Sequence, residues 1–569
     1  MVQITKHMIR LIFMNAAVLT AAAFLFSCQK PTFIPETEYI PEDTKDEIGV
    51  YEEGIYVTVG GAGQLTGHDW NDAMSADMFR EKLQTNAFAD GTVIHLAEGC
   101  YTLGIDKDNI PVITKDLIIK GGYRSGIYTQ YPNRYYTYLT GGTDFRIMTI
   151  SAESSISLDG VGFTGSTGTS DKSPVCIDGG TLKITNATIC NNYSAFMGGA
   201  IQVTSGGKFE AESCVIRNNV AKSGGAIRIN STESSCVLTN CKINGNQAHE
   251  RGGALYVVAG NANVTNCEFN GNECVKNEGG SFYITSAATL NSTNNVFEGE
   301  HSGKRGAIIG IEGDGTKAFF NGCSFENCSA VASSPLFNHV SGQNILYFNG
   351  CSIFGSHIEE KYGLIAAVNS TGLSLGFNNC TMAGAYSNWP NANSQQCCWF
   401  NITSIGKMTM SNCSLIGVPS SATKELPTFG LVRLNGDNVN ASFFNNIIVS
   451  TSEGGYSLYG GDTQKDLSIT GAYNKTSPIT TQTIGTFNYV LGTGDDTNLY
   501  ASNFDGLTLS GKAWVWNNTN MTARTADVNA EIQKFDPAFY EWLSSIDALG
   551  KDIYGTQRGE SSWPGSYQK

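Results

Sequence analysis

The stretch HERGGALYV, residues 249–257, sets a Gly-Gly pair between a charged triplet and a short apolar strand. The chain repeats the arrangement at AFMGGAIQV (195–203), AKSGGAIRI (221–229) and KNEGGSFYI (276–284), about 27 residues apart. A second element travels with it: an apolar residue, two further residues, then Asn. It appears as ICNN ending at Asn192, IRNN at Asn219, INGN at Asn246 and FNGN at Asn272. A third runs further along the chain: SCVI (213–216), NCKI (240–243), NCEF (266–269), GCSF (322–325), GCSI (350–353), NCTM (379–382) and NCSL (412–415). In NNVF (294–297) and NNII (445–448) an Asn takes the cysteine's place.

Short strands at this period, with no helix between them, predict a solenoid whose turns stack edge to edge. Each turn would then lie about 4.8 Å from the next, and about eleven turns between residues 150 and 450 would make a rod on the order of 50 Å long. The Gly-Gly pair suits a sharp turn with positive φ. The Asn residues of successive turns are expected to stack into a ladder. Each repeat cysteine lies two residues before an Ile, Phe, Met or Leu, so alternation along the strand puts both on one face, the inner one. Columns of inward thiols read as small apolar residues rather than disulfides, because neighbouring parallel strands orient their Cβ atoms alike.

Composition agrees. The 569-residue chain is only 15% charged and contains 65 glycines. That balance favours many short strands and tight turns over helices. A net charge of −15 argues against a nucleic-acid partner.

The N-terminus reads as an address. Lys6 and Arg10 precede the apolar run LIFMNAAVLTAAAFLF, which ends in LFSC at Cys28. Leu25, Ser27 and Cys28 resemble a bacterial lipobox, which implies removal of residues 1–27 and lipidation of Cys28. Residues 28–54 are acidic and Pro-containing, an expected tether. The expected layout continues with a cap and first turns over 55–150, repeats over 151–450, and last turns with a C-terminal cap over 451–569. In WNDAMSADMFREKLQ, Ala76, Phe79 and Leu83 share a helix face that would cover the first open edge. In FDPAFYEWLSSIDALG, Asp536 is the expected N-cap, Pro537 the first helical residue and Gly550 the stop, with the helix near the far end of the solenoid.

GGAI and GGAL, with Ile/Phe-x-x-Asn, resemble the repeat of polymorphic outer-membrane proteins, carried on a right-handed parallel β-helix of the pectate-lyase-like type. The resemblance implies an all-β, right-handed parallel β-helix solenoid with an N-terminal capping helix and a small C-terminal helical segment. It also implies adhesion at the bacterial cell envelope, here as an outer-membrane, surface-facing lipoprotein. No ten-residue alternating barrel segments close the chain, so lipid is the expected anchor.

For function, the residues just before the glycines matter most. Stacking brings Lys222, then Arg251, then Lys276 and Glu278, then Lys304 and Arg305 onto one strip, with Arg251, Glu278 and Arg305 roughly 5 Å apart in series. Such a strip suits an acidic polysaccharide, since Arg grips carboxylate or sulfate. It is equally the pattern of a solvated charge ladder that satisfies itself. GAYSNWPNANSQQCCW, 384–399, reads as an insertion in the regular turn, with Tyr386 and Trp389 as contacts. A polysaccharide lyase or glycosidase is the alternative, and a purely structural envelope protein the third. No catalytic residue is assigned. Calcium needs about six to eight oxygens, and Glu250, Glu278 and Glu300 are dispersed among bases. No metal or cofactor is expected, and the partners expected are a glycan and the membrane, with the chain a monomer.

Overall fold

The computed structural model describes residues 47–417 apart from 106–108, 143–145, 169–172, 360–362 and 388–397. Further on it describes 431–434, 436, 438–450, 458–460, 467–472, 474–476, 488–491, 499–500, 507–510, 513–516, 523–562 and 566. The chain divides into two units, 1–222 and 223–569. Each is a parallel β-helix.

In the first unit, Ile55–Thr58, Thr92–Ala97, Leu117–Tyr123, Ser155–Asp159, Thr181–Thr185 and Lys208–Glu212 pair in parallel, each with the next. A second sheet runs through Gly99–Gly104, Thr137–Gly141, Val161–Thr164, Thr188–Cys190 and Val215–Arg217. Helix α1, Ala76–Gln84, starts where the Ser75 side chain accepts from Met78 N. It buries Phe79 and Leu83, and Phe79 meets Tyr101 edge-on at 6.1 Å. The amphipathic helix therefore covers the early turns, as its spacing predicts.

In the second unit, one turn reads Leu255–Thr265, Glu268–Asn270 and Glu273–Cys274. The turn before Leu255 shows why two glycines are needed. Gly252 has φ +63, a backbone region that side chains with a Cβ rarely adopt. Gly253 does not, but a Cβ there would lie 2.1 Å from the Gly280 carbonyl oxygen of the next turn. The first glycine thus serves the turn and the second serves the stacking.

The interior follows the repeat. Ile243, Phe269, Phe297, Phe325 and Ile353 stand in register on consecutive turns. Phe269 and Phe297 stack at 4.7 Å, and Phe297 and Phe325 at 5.1 Å. Cys214, Cys241, Cys267, Cys323, Cys351, Cys380 and Cys413 are free and buried. Their thiols turn to the backbone: Cys241 Sγ donates to Thr239 O at 3.2 Å and Cys413 Sγ to Ser411 O at 3.1 Å. The residue before each thiol takes a left-handed turn, with φ +53 at Asn240 and Asn266 and +66 at Gly322. That requirement explains why only Asn, Gly or Ser precedes the repeat cysteines.

The asparagine ladder is present and buried. Asn246 N donates to Asn272 Oδ1 at 3.0 Å, and Asn272 N donates to Glu300 Oε1 at 3.1 Å. Glu300, one of the three acids dispersed among bases in the sequence, is an interior residue at 0% exposure. It occupies the ladder slot after FEG, where the preceding turns carry Asn.

The C-terminal helices differ from expectation in number and length. Helix α2, Thr525–Phe535, was not anticipated, and α3, Pro537–Ser545, ends before Gly550. Asp536 is the N-cap, accepting from Phe539 N, as its sequence predicts. The pair packs on the flank of the later turns, from Phe319 to Phe444. Phe319, Tyr347, Gly376 and Thr409 form one outward column on successive turns. Tyr347 meets Phe539 at 4.8 Å, and Phe319 stacks on Trp542 at 5.5 Å. Exposed aromatics in an outward column need a cover, and the helices supply it.

Candidate functional site: a cationic row beside a buried tyrosine

Arg251, Glu278, Arg305 and Ser333 bridge in parallel from turn to turn, so the expected series of positive, negative and positive charges exists. The row is only partly self-satisfied. Lys304 Nζ lies 3.1 Å from Glu278 Oε1. Arg251 Nη2 lies 3.6 Å from Glu312 Oε2, and its guanidinium sits 5.0 Å from the centre of the Tyr283 ring. Tyr283 donates its hydroxyl to Glu312 at 2.7 Å. Arg305 and Lys276 are exposed and make no ion pair among the described residues.

Arg251 is therefore a fixed cation and Arg305 a free one. Burial pulls the Arg251 pKa down, but the bond to Tyr256 and the charges of Tyr283 and Glu312 outweigh it and raise the pKa overall. Burial pushes the Tyr283 phenol up, and its bond to Glu312 adds to that. Neither group is tuned towards losing a proton at neutral pH.

Tyr256, Tyr283 and Glu312 were not singled out from sequence, although a signal existed. In GGAIRI, GGALYV and GGSFYI the fifth residue faces outward, giving Arg228, Tyr256 and Tyr283 in register. The next turn places Gly310 opposite Tyr283, and the ring lies over it: a Cβ on Gly310 would come within 2.5 Å of Tyr283 Cδ2.

The other expected residues fall elsewhere. Lys222 is an exposed residue of the first unit. Tyr386 is not in an inserted loop. It lies on the strand Tyr386–Ser387, in register with His357, and the two rings stack at 4.9 Å. Trp389 and Cys28 lie outside the described residues, as does the segment 1–27. Among the described residues no group of three or more His, Cys, Asp or Glu is arranged to hold a metal ion. No helix among them is long and apolar enough to cross a membrane.

No protein-family model matches the chain, and no curated protein sequence matches it. Solved structures with a similar fold include pectate lyase Pel9A, at 14% identity and TM-score 0.28, covering 60% of this chain and 79% of that one. A PL6 alginate lyase in complex with a trisaccharide aligns at 12% identity and TM-score 0.37, over 83% of this chain and 93% of that one. The tailspike protein of E. coli bacteriophage HK620, in complex with a pentasaccharide, aligns at 9% identity and TM-score 0.29, over 72% and 73%.

Proposed function

We propose that the second unit binds an acidic polysaccharide along the row Arg251, Glu278 and Arg305, and that lipid on Cys28 holds the chain in the bacterial cell envelope. The supporting observation is the pair of exposed cations without ion-pair partners, Lys276 and Arg305, beside the fixed cation Arg251. In a chain of net charge −15, four cations gather here: Arg251 pairs with Glu312, Lys304 with Glu278, and Lys276 and Arg305 are exposed. Arg offers carboxylate or sulfate a planar, two-pronged donor. Arg251 and Arg305 make that offer two turns apart, about 10 Å at the spacing of neighbouring strands, with Lys276 on the turn between, which suits alternate sugars of an extended chain.

Binding, as in adhesion, is the first reading, and elimination by a lyase stands beside it. A lyase needs a base ready to take the proton beside a uronate carboxyl. Arg251 is held in its charged form, and the Tyr283 phenol is held in its neutral one.

A glycan array read with wild type and with Lys276→Glu/Arg305→Glu tests the reading. Wild type should retain alginate, pectate or sulfated glycans and release them as salt rises. The double variant should lose them with its thermal midpoint nearly unchanged, since exposed charges contribute only about 0–1 kcal/mol. Equal retention by both proteins would reduce the row to a solvated ladder. Release of unsaturated uronate ends by wild type would transfer the case to the lyase reading. For the anchor, Cys28→Ala should leave the membrane fraction, and mass spectrometry of the mature N-terminus should find lipid on Cys28. An unmodified N-terminus further along the chain would refute it.

A further inference from the structure

The last eight residues of the expected tether, 47–54, lie against the first turns of the first unit. The Tyr128 amide donates to Ile48 O at 2.6 Å, and the Glu47 amide donates to the Tyr131 hydroxyl at 3.1 Å. The Tyr51 ring packs on Tyr56 at 5.6 Å and meets Tyr128 edge-on at 5.8 Å. The Tyr56 hydroxyl accepts from the Glu52 amide and donates to the Glu52 carbonyl. The Glu52 carboxylate lies 2.6 Å from Lys120 Nζ. Residues 47–53 are exposed, so these contacts form a surface strap rather than part of the core. Beneath the strap sits His95, 1% exposed, on the strand Thr92–Ala97. Its ring stacks on Tyr56 at 4.6 Å, and Nδ1 lies 3.3 Å from the Tyr123 hydroxyl. Nε2 has no partner of hydrogen-bond geometry. The backbone of Gly54 closes over it: a Cβ on Gly54 would come within 2.7 Å of Nε2.

An imidazolium carries a donor on each nitrogen as well as a charge, and a buried charge without partners is costly. Burial pulls the His95 pKa below 6.5 against the Glu52 carboxylate and the Glu53 backbone, and Lys120 adds to the pull. Asp159 stands opposite Lys120 on the next turn, and His68 stacks on Tyr51. The remaining titratable groups around the ring are the phenols of Tyr51, Tyr56, Tyr123 and Tyr128, and phenols do not titrate in acid. The strand that carries His95 pairs on both sides and is expensive to break. Lifting the strap brings Nε2 to water for the loss of a few exposed contacts. We propose that residues 47–54 are an acid-released strap: neutral His95 keeps them on the first turns, and its protonation frees them. The freed state takes up the proton more readily than the strapped one, so docking is complete above about pH 6.5 and weakens as pH falls below it. On the lipid-anchor reading, which the release itself does not need, the tether would lengthen in acid by eight residues, about 26–29 Å of extended chain.

The test uses the full chain and hydrogen exchange, corrected for its intrinsic pH dependence, on peptides covering 47–56 and 124–131 at pH 7.5 and pH 5.0. In wild type the protection of both should fall about tenfold or more in acid, while peptides covering 155–159 and 181–185 keep theirs. His95→Phe keeps a flat ring against Tyr56 and cannot take the proton, so both peptides should stay protected at both pH values. His68→Gln should keep the acid step, since His68 does not drive it. Cys28→Ala should keep it too, which separates the strap from the anchor. Four results would overturn the proposal: equal protection in wild type at the two pH values, tighter docking in acid, a step that survives His95→Phe, or a step lost in His68→Gln. Should His95→Phe melt early, NMR of wild type carries the test. The His95 ring and the Tyr128 amide should then titrate with one shared midpoint below pH 6.5, and separate midpoints would overturn the strap.

Discussion

Asn272 donates from Nδ2 to Glu300 Oε1 at 3.1 Å, so a buried amide ladder ends on a carboxyl group. Ser281 Oγ pairs with the other oxygen of the same carboxyl. Burial pushes the Glu300 pKa from 4.5 up to about 8, against the pull of the bonds from Ser281 and Asn272. The folded chain therefore keeps a proton that the unfolded chain gives up. The stability this contributes is complete below about pH 4.5 and is lost as pH rises towards 8, with a slope of up to about 1.4 kcal/mol per pH unit. Glu300→Gln keeps an acceptor for Asn272 and has no proton to lose. Melting curves from pH 5 to 9 should converge at the acid end, and the variant should be the more stable at pH 9. Parallel curves would contradict the assignment.

Cys241 tests the interior. Its thiol is buried and bonded to Thr239 O. Cys241→Ala should cost about 1 kcal/mol. Cys241→Asp should cost about 3 kcal/mol or more, because it buries an unpaired charge. Thiol reagents should label the native repeat cysteines slowly and the unfolded chain fully. Rapid native labelling would place these thiols on the surface.

The helix clasp can be tested at Gly376. A Cβ there would come within 2.5 Å of the Phe539 ring. Gly376→Ala should therefore destabilise the docked helices by about 1–3 kcal/mol, seen as a shift in Trp542 emission and faster proteolysis of 525–545. Phe539→Leu in the same chain should relieve part of the clash, so the two changes should be non-additive. Simple additivity would mean that the helices do not rest on this turn.

Arg251 and Arg305 should respond differently to Lys. The Arg251 guanidinium lies over the Tyr283 ring and beside Glu312, a geometry a point charge does not reproduce. Arg251→Lys should weaken acidic-glycan binding several-fold and lower the thermal midpoint slightly. Arg305→Lys, at an exposed position, should change neither by more than about twofold. The same loss at both positions would remove the distinction between a fixed and a free cation.

The repeat made the turns legible because each turn solves the same steric problem. Gly252, Asn266 and Cys267 can be read from their spacing, and so can the stacking of Arg251, Glu278 and Arg305. The interior place of Glu300 was not read from sequence, where a lone Glu in a turn carries no mark; only its alignment under Asn246 and Asn272 shows it. Tyr283 was missed because an outward aromatic on a strand looks like one more sheet residue until Gly310 and Glu312 are placed around it. The docking of α2 and α3 was illegible for another reason. It joins residues far apart in sequence, such as Tyr347 and Phe539, and no period links them.

The flank contacts also set an order in time. Arg558 donates to Asn379 Oδ1, and Ser566 bonds to Thr381 and Ser414, contacts that span 152 to 185 residues of chain. A ribosome or an export channel delivers the repeats first and these residues last. The middle turns can stack on one another as they emerge, but their outer column of Phe319 and Tyr347 stays bare until residues 525–545 arrive. Emergence of those helices is thus the step that closes the surface, and a product truncated before residue 525 would leave the translation machinery stacked, sticky and unclasped.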